Sequence, residues 1–185
     1  MKRTVLTFGL ISGAISAGLM AAFVPFIDKI GFENGAVLGY TAIVLSFLMV
    51  FFGIRSYREN IGGGYISFGR GLTVGILIAL ISSVIYVAAW EVAFQNWLSD
   101  FPEKYTSYVL EKARASGASA EEVARQSEEL NHLWTLYRGN IFVRFAFGFA
   151  EPFPVALIIT PLSAAILRRR KKAEPAETSN EAVLC

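Results

Sequence analysis

The stretch GLTVGILIALISSVIYVAAW, residues 71–90, carries neither a charged residue nor a proline. As a helix rising about 1.5 Å per residue it would be ~30 Å long, the thickness of a bilayer's hydrocarbon core. Its apolar residues fall on every face, whereas a soluble surface helix confines them to one stripe. The stretch therefore reads as a membrane helix, with an extension to Trp97 left open. Three further blocks of the same kind occupy residues 5–27, 35–54 and 141–167. Composition agrees: 17% of residues are charged, against about 25% in a soluble domain. The expected fold is an all-α integral membrane protein with four transmembrane helices. Residues 1–170 form that domain, with an extracytoplasmic helical hairpin, residues 99–140, between helices three and four. Residues 171–185, small, polar and acidic, read as a disordered cytoplasmic tail.

The first block follows Lys2 and Arg3, so a signal peptide is the competing reading. Its 23 residues exceed the roughly 7–15 of a signal core, which favours a membrane helix. Orientation comes from basic residues, which collect on the cytoplasmic side. Lys2, Arg3, Arg55, Arg58, Arg70 and the run Arg168-Arg169-Arg170-Lys171-Lys172 share one side. The other side holds Lys29 and a hairpin with more acids than bases. Both termini are thus expected in the cytoplasm.

The hairpin reads as two amphipathic helices. Asp100/Glu103 and Ser119/Glu122 have capping-box spacing, and Gly117 marks the break. Tyr105, Tyr108, Val109 and Ala113 recur at helical spacing, as do Val123, Leu130, Leu133, Trp134 and Tyr137. Such stripes pack on each other or on the membrane surface; a partner-binding surface is the second reading.

Three ionisable residues lie within or at the rim of apolar blocks. Counted from the basic ends, Glu151 stands about 25 Å up, Glu91 about 32 Å and Arg144 about 36 Å. They belong to the outer third of the membrane and its interface. Cβ vectors point toward a helix's N-terminus, so Glu91 on a rising helix and Glu151 on a descending one converge. An ion-paired clamp of Glu91, Arg144 and Glu151 is expected, with a proton or cation relay as the alternative. Glu151-Pro152-Phe153-Pro154 adds a kink, because Pro152 and Pro154 cannot donate to the carbonyls of Gly148 and Ala150. A broken helix lining an ion site is the alternative to a simple kink.

Small residues recur at four-residue spacing: Gly9, Gly13 and Ala17; Gly31, Gly35 and Gly39; Gly71 and Gly75. They suit close helix packing within the bundle or in a homo-oligomer. Gly62-Gly63-Gly64 lacks the Gly-Lys-Ser/Thr ending of a phosphate loop. It reads as a flexible inner loop, with Tyr65, Ile66 and Phe68 at the interface. Arg55, Arg58 and Arg70 beside it are candidates for contact with anionic lipid headgroups. One cysteine, Cys185, and one histidine, His132, leave no disulfide, thiolate metal set or evident nucleophile–base pair. No cofactor motif is present, and a net charge of +2 gives no reason to expect nucleic acid.

The order of segments is familiar. Gly53-Ile54-Arg55-Ser56-Tyr57-Arg58-Glu59-Asn60, the glycine triplet, Ile66-Ser67-Phe68-Gly69-Arg70, Trp90-Glu91 and Glu151-Pro152-Phe153-Pro154 resemble the bacterial domain-of-unknown-function 4199 family. The resemblance runs from about Thr4 to Arg170. It implies a small multi-spanning inner-membrane protein and brings no activity, ligand or catalytic residue. The expected function is non-enzymatic, through helix packing and contacts with membrane lipids or a membrane protein partner, a second copy included. The alternative is a small transporter or ion-conducting oligomer using Glu91 and Glu151.

The charge asymmetry predicts that Gly63 faces the cytoplasm and Gly117 the outside. With Cys185 replaced, Gly117→Cys should react with an impermeant thiol reagent on intact cells and Gly63→Cys should not. The reverse pattern would invert the topology.

Overall fold

The structure is a computed structural model and describes residues 1–169. The expected tail, and residues 170–172 of the basic run, lie outside the described residues. Helix α1 covers Lys2–Phe23 and ends where Pro25 enters a single 3₁₀ turn, Val24–Phe26. A short α2, Ile27–Ile30, stops at Gly31, whose φ of 77° suits a residue without a Cβ. Helix α3 covers Phe32–Asn60 and α4 covers Phe68–Asn96. The hairpin is α5, Phe101–Ala115, and α6, Ala120–Gly139; then come α7, Ile141–Ala150, and α8, Pro152–Leu167.

Three runs are long and apolar enough to cross a membrane: Lys2–Ile30, Phe32–Asn60 and Phe68–Asn96. The fourth block is bent where the two prolines predict a kink. It is divided at Glu151, and α7 and α8 meet at a bend of 43°, so they make a fourth span only if taken together. Pro152 opens α8, a position where its missing N–H costs nothing, while the turn before it loses a hydrogen bond. The helices α3 and α4 also outrun their apolar blocks. The polar ends Glu33-Asn34 and Ser56 to Asn60 continue the helix, and hydropathy does not register where a helix stops once it leaves lipid.

Helix α1 packs along α4 and α3, and α8 lies in the groove between α3 and α4. The core is apolar at Phe47, Val50, Ile54, Val74 and Ile78. Polar hydroxyls are nevertheless buried at its centre. Ser12 Oγ on α1 lies 2.8 Å from both the Ser46 carbonyl oxygen on α3 and Ser82 Oγ on α4. Ser46 Oγ in turn donates to the Ile43 carbonyl. Meanwhile Leu6, Leu10, Leu45, Leu80, Ile158 and Ile166 face outward. Hydroxyls inside and leucines outside reverse the soluble pattern and suit a lipid surround, where interhelical hydrogen bonds act as glue.

Glycine sets the helix spacing. A Cβ on Gly9 would lie 2.8 Å from Ile81, one on Gly13 2.4 Å from Ile85, and one on Gly75 2.6 Å from Thr160. These glycines therefore serve packing inside the bundle. Gly18 and Gly39 meet nothing within 4 Å.

At the basic end the glycine loop is not the flexible segment expected. Gly62 and Gly64 donate their N–H groups to the carbonyls of Tyr57 and Arg58, so those groups are not free to cradle a phosphate. Ile66 is buried, not interfacial, and pairs with Arg169 through two backbone bonds of 3.0 Å. Arg58 Nη1 reaches the last carbonyl region of α8 at Leu167, 3.4 Å away. The loop thus fastens the end of α8 to α3.

Filling the α1–α4 contact should be costly. Gly13→Leu is expected to destabilise the protein by about 1–3 kcal/mol through overpacking, with partial rescue by Ile85→Ala. Gly18→Leu, in open space, should leave the unfolding midpoint in detergent unchanged. Equal effects of the two leucines would refute this packing role.

Candidate functional site

The hairpin's stripes pack on each other and on the membrane helices. Phe32, at the start of α3, meets Phe101, Tyr105 and Tyr108 with ring centroids 5.6, 5.6 and 5.1 Å apart. Trp134 of α6 donates to Thr106 Oγ1 at 3.1 Å, and Trp90 of α4 donates to the Tyr137 hydroxyl at 2.8 Å. Ions fasten the rim. Lys104 Nζ lies 2.8 Å from Asp28 and 2.9 Å from Asp100, and Lys112 Nζ 2.5 Å from Glu33. Arg138 Nη2 holds both oxygens of Glu103 at 2.7 and 2.8 Å.

Arg138's hydrogen bond lowers the pKa of Glu103 below the ordinary carboxylate value. This brace is therefore in place above that ordinary value and is lost as pH falls through the lowered one. Of the two expected capping boxes, Ser119 does accept from the Glu122 N–H at 3.2 Å. Asp100 makes no cap bond; its carboxylate turns to Lys104 instead. Gly117 adopts a φ of 86°, as the break requires.

Glu91, Arg144 and Glu151 do not form one cluster. Arg144 on α7 meets Glu91 on α4, its Nε donating to both carboxylate oxygens at 3.0 Å. Its Nη1 donates to the carbonyls of Arg138 and Tyr137 at 3.0 and 3.3 Å, which terminates α6. One guanidinium thus ties α4, α6 and α7 together. Both side chains are about one-sixth exposed, 16% for Arg144 and 15% for Glu91. Such a pair is strong once made, since its geometry is bidentate and water is largely excluded.

Glu151 has another partner. The Tyr86 hydroxyl on α4 donates to its Oε2. Among the described residues no lysine, arginine or histidine pairs with Glu151. Glu151 closes α7 in helical conformation, two turns below Arg144, while the break at Pro152 sets the direction in which α7 runs along α4 and so brings Arg144 to Glu91.

Two adjoining cavities lie at this end. The larger, about 800 Å³, lies between α1 and α4, walled by Ala17, Ala21, Ala88, Ala89 and Ala93 and rimmed by Asp28, Asp100 and Lys104. The smaller, about 280 Å³, lies between α1, α3, α4 and the hairpin, with Glu151 and Tyr86 on its wall. The sequence reading missed both. Their alanines look like filler in a hydropathy profile, and a void has no sequence signal of its own. At the opposite end, Arg55 pairs with Glu59 and Arg58 is committed to Glu59 and Leu167, while Arg70 is exposed at the start of α4. Among the described residues, no group of three or more His, Cys, Asp or Glu is placed to hold a metal.

Arg144→Ala should cost about 3 kcal/mol, because it strands Glu91 and uncaps α6. Adding Glu91→Gln should recover part of the loss, giving a coupling of at least ~0.5 kcal/mol in a double-mutant cycle. Glu151→Gln should instead be additive with Arg144→Ala. Coupling of Arg144 to Glu151 rather than Glu91 would contradict the pairing.

No curated protein and no solved structure matches the chain. A family model described as "Protein of unknown function (DUF4199)" matches residues 7–169. The two cavities, the bend and the Arg144–Glu91 pair all fall within that match, and on it the chain belongs to the DUF4199 family.

Proposed function

We propose that this protein is a non-enzymatic membrane protein that acts by holding the chain of a membrane lipid in the larger cavity. The observation that carries the reading is the cavity itself. Its walls are apolar, with alanines of α1 and α4 beside Met20, Ile85, Val92 and Leu98, and its mouth carries the Asp28–Lys104–Asp100 ion group. Apolar walls suit hydrocarbon, and a rim of both charge signs suits a polar headgroup. A volume of about 800 Å³ falls in the usual range for a small-molecule site.

The basic-residue asymmetry supports an orientation with the hairpin outside and both termini in the cytoplasm of a bacterial inner membrane. The cavity then opens at the level of the outer leaflet. A transport or ion-conducting role through Glu91 and Glu151 draws less support, because Glu91 is engaged by Arg144.

Native mass spectrometry after mild detergent extraction tests the lipid reading. The wild type should retain at least one lipid per chain, and Ala21→Phe or Ala89→Phe, which fill the cavity, should lose it several-fold. Retention by well-folded filled variants at the wild-type level would overturn the proposal.

A further inference from the structure

The smaller cavity has a chemistry that the lipid-chain reading does not use. Its wall carries Phe23 from α1, Phe32 and Tyr40 from α3, Trp90 from α4, and Phe101 and Tyr105 from α5. Several of these rings hold one another in place. Phe101 stacks on Tyr105 at 5.9 Å and meets Phe32 and Trp90 edge-on, each at 5.6 Å. On the same lining lies Glu151, an exposed residue whose Oε2 accepts from the Tyr86 hydroxyl. Among the described lining residues, Glu151 is the one carboxylate, and there is no lysine, arginine or histidine.

A carboxylate facing an aromatic box without a cationic side chain is an incomplete charge arrangement. Aromatic faces attract cations through the ring quadrupole, and the attraction grows when water is excluded. A compact metal ion fits poorly, since calcium takes six to eight oxygen ligands and magnesium needs octahedral geometry. An alkylammonium is weakly hydrated, presents methyl groups to ring faces and needs one counter-charge. We infer that the smaller cavity is a binding site for an organic ammonium, with Glu151 as its counter-ion and the rings of Tyr40, Trp90, Phe101 and Tyr105 as its walls.

Tyr86 has a positioning role. By holding Oε2 it fixes the carboxylate, while Oε1 has no hydrogen-bond partner among the described residues. The two cavities share Met20, Val24, Ile27, Phe32, Leu98 and Phe101 as common wall. The ammonium is thus either a free small cation or the headgroup of an amphiphile whose chain lies in the larger cavity. The site does not depend on the lipid-chain reading, and a soluble probe tests it alone.

The protein purified in maltoside micelles is titrated with phenyltrimethylammonium and, separately, with its neutral isostere tert-butylbenzene, binding being read by calorimetry. The cation should bind at least about tenfold more tightly than the isostere, and Tyr40→Leu should weaken it about threefold. Glu151→Gln should remove most of the preference for the cation. Equal affinity for the isostere, no binding of the cation, or an unchanged preference in Glu151→Gln would each overturn the inference. If Glu151→Gln does not fold, wild type and Tyr86→Phe decide, because both retain the carboxylate and must both prefer the cation. Dodecyltrimethylammonium separates the two sources. Tightening that Ala89→Phe abolishes identifies a headgroup, whereas affinity independent of the chain identifies a free cation, and either result upholds the site.

Discussion

The break at Glu151-Pro152 is the constraint on which the hairpin end depends. A proline has no N–H to offer the carbonyl one turn earlier, and its ring crowds that carbonyl. With Pro154 two residues on, the chain loses two ladder bonds within half a turn and changes direction by 43°. Helix α8 keeps its place between α3 and α4, while α7 swings along α4 and α6. That swing delivers Arg144 to Glu91 and leaves Glu151 at the corner, facing Tyr86 and the smaller cavity.

Below the break the bundle is held in a different way. Lipid offers no hydrophobic reward for burying one apolar helix against another, so close van der Waals fit and hydrogen bonds carry the packing. Gly9, Gly13 and Gly75 bring backbones close enough for Ile81, Ile85 and Thr160 to occupy the space a Cβ would take. The Ser12–Ser46–Ser82 contact adds directed bonds at the three-helix junction. Together these fix helix register in a core where apolar side chains alone would slide.

Above it, the hairpin acts as a cap. Its rings close over Phe32 and Trp90, and its lysines reach acids at the start of α2 and α3. The cap does not fill the space between α1 and α4, where small residues stand on both walls. Two cavities therefore survive directly under an ion-braced lid, and they differ in chemistry. The larger is lined mainly by aliphatic residues and suited to hydrocarbon, while the smaller is richer in aromatic residues and carries a carboxylate. At the opposite end the Ile66–Arg169 pairing and Arg58 draw the loop onto α8.

Much of this was determined by the sequence alone, because the signals involved are local. Apolar length specified the helices 71–90 and 35–54, the turn glycine Gly117 and the Ser119 cap divided the hairpin, and two prolines marked the break. The resemblance carried by Trp90-Glu91 and Glu151-Pro152-Phe153-Pro154 agrees with the family match over residues 7–169. Depth counting also placed Glu91, Arg144 and Glu151 near the hairpin end. Which carboxylate receives the arginine was decided by the tertiary structure, since Glu91 lies 53 residues from Arg144 in the chain and meets it only through the packing of α7 on α4. The same holds for Ser12, whose partners lie 34 and 70 residues away, and for Asp100, which turned from a cap to Lys104. The cavities belong wholly to the tertiary level: alanines at 17, 21, 88, 89 and 93 become a wall only when α1 and α4 diverge, and side-chain volumes summed along a chain do not say where helices part.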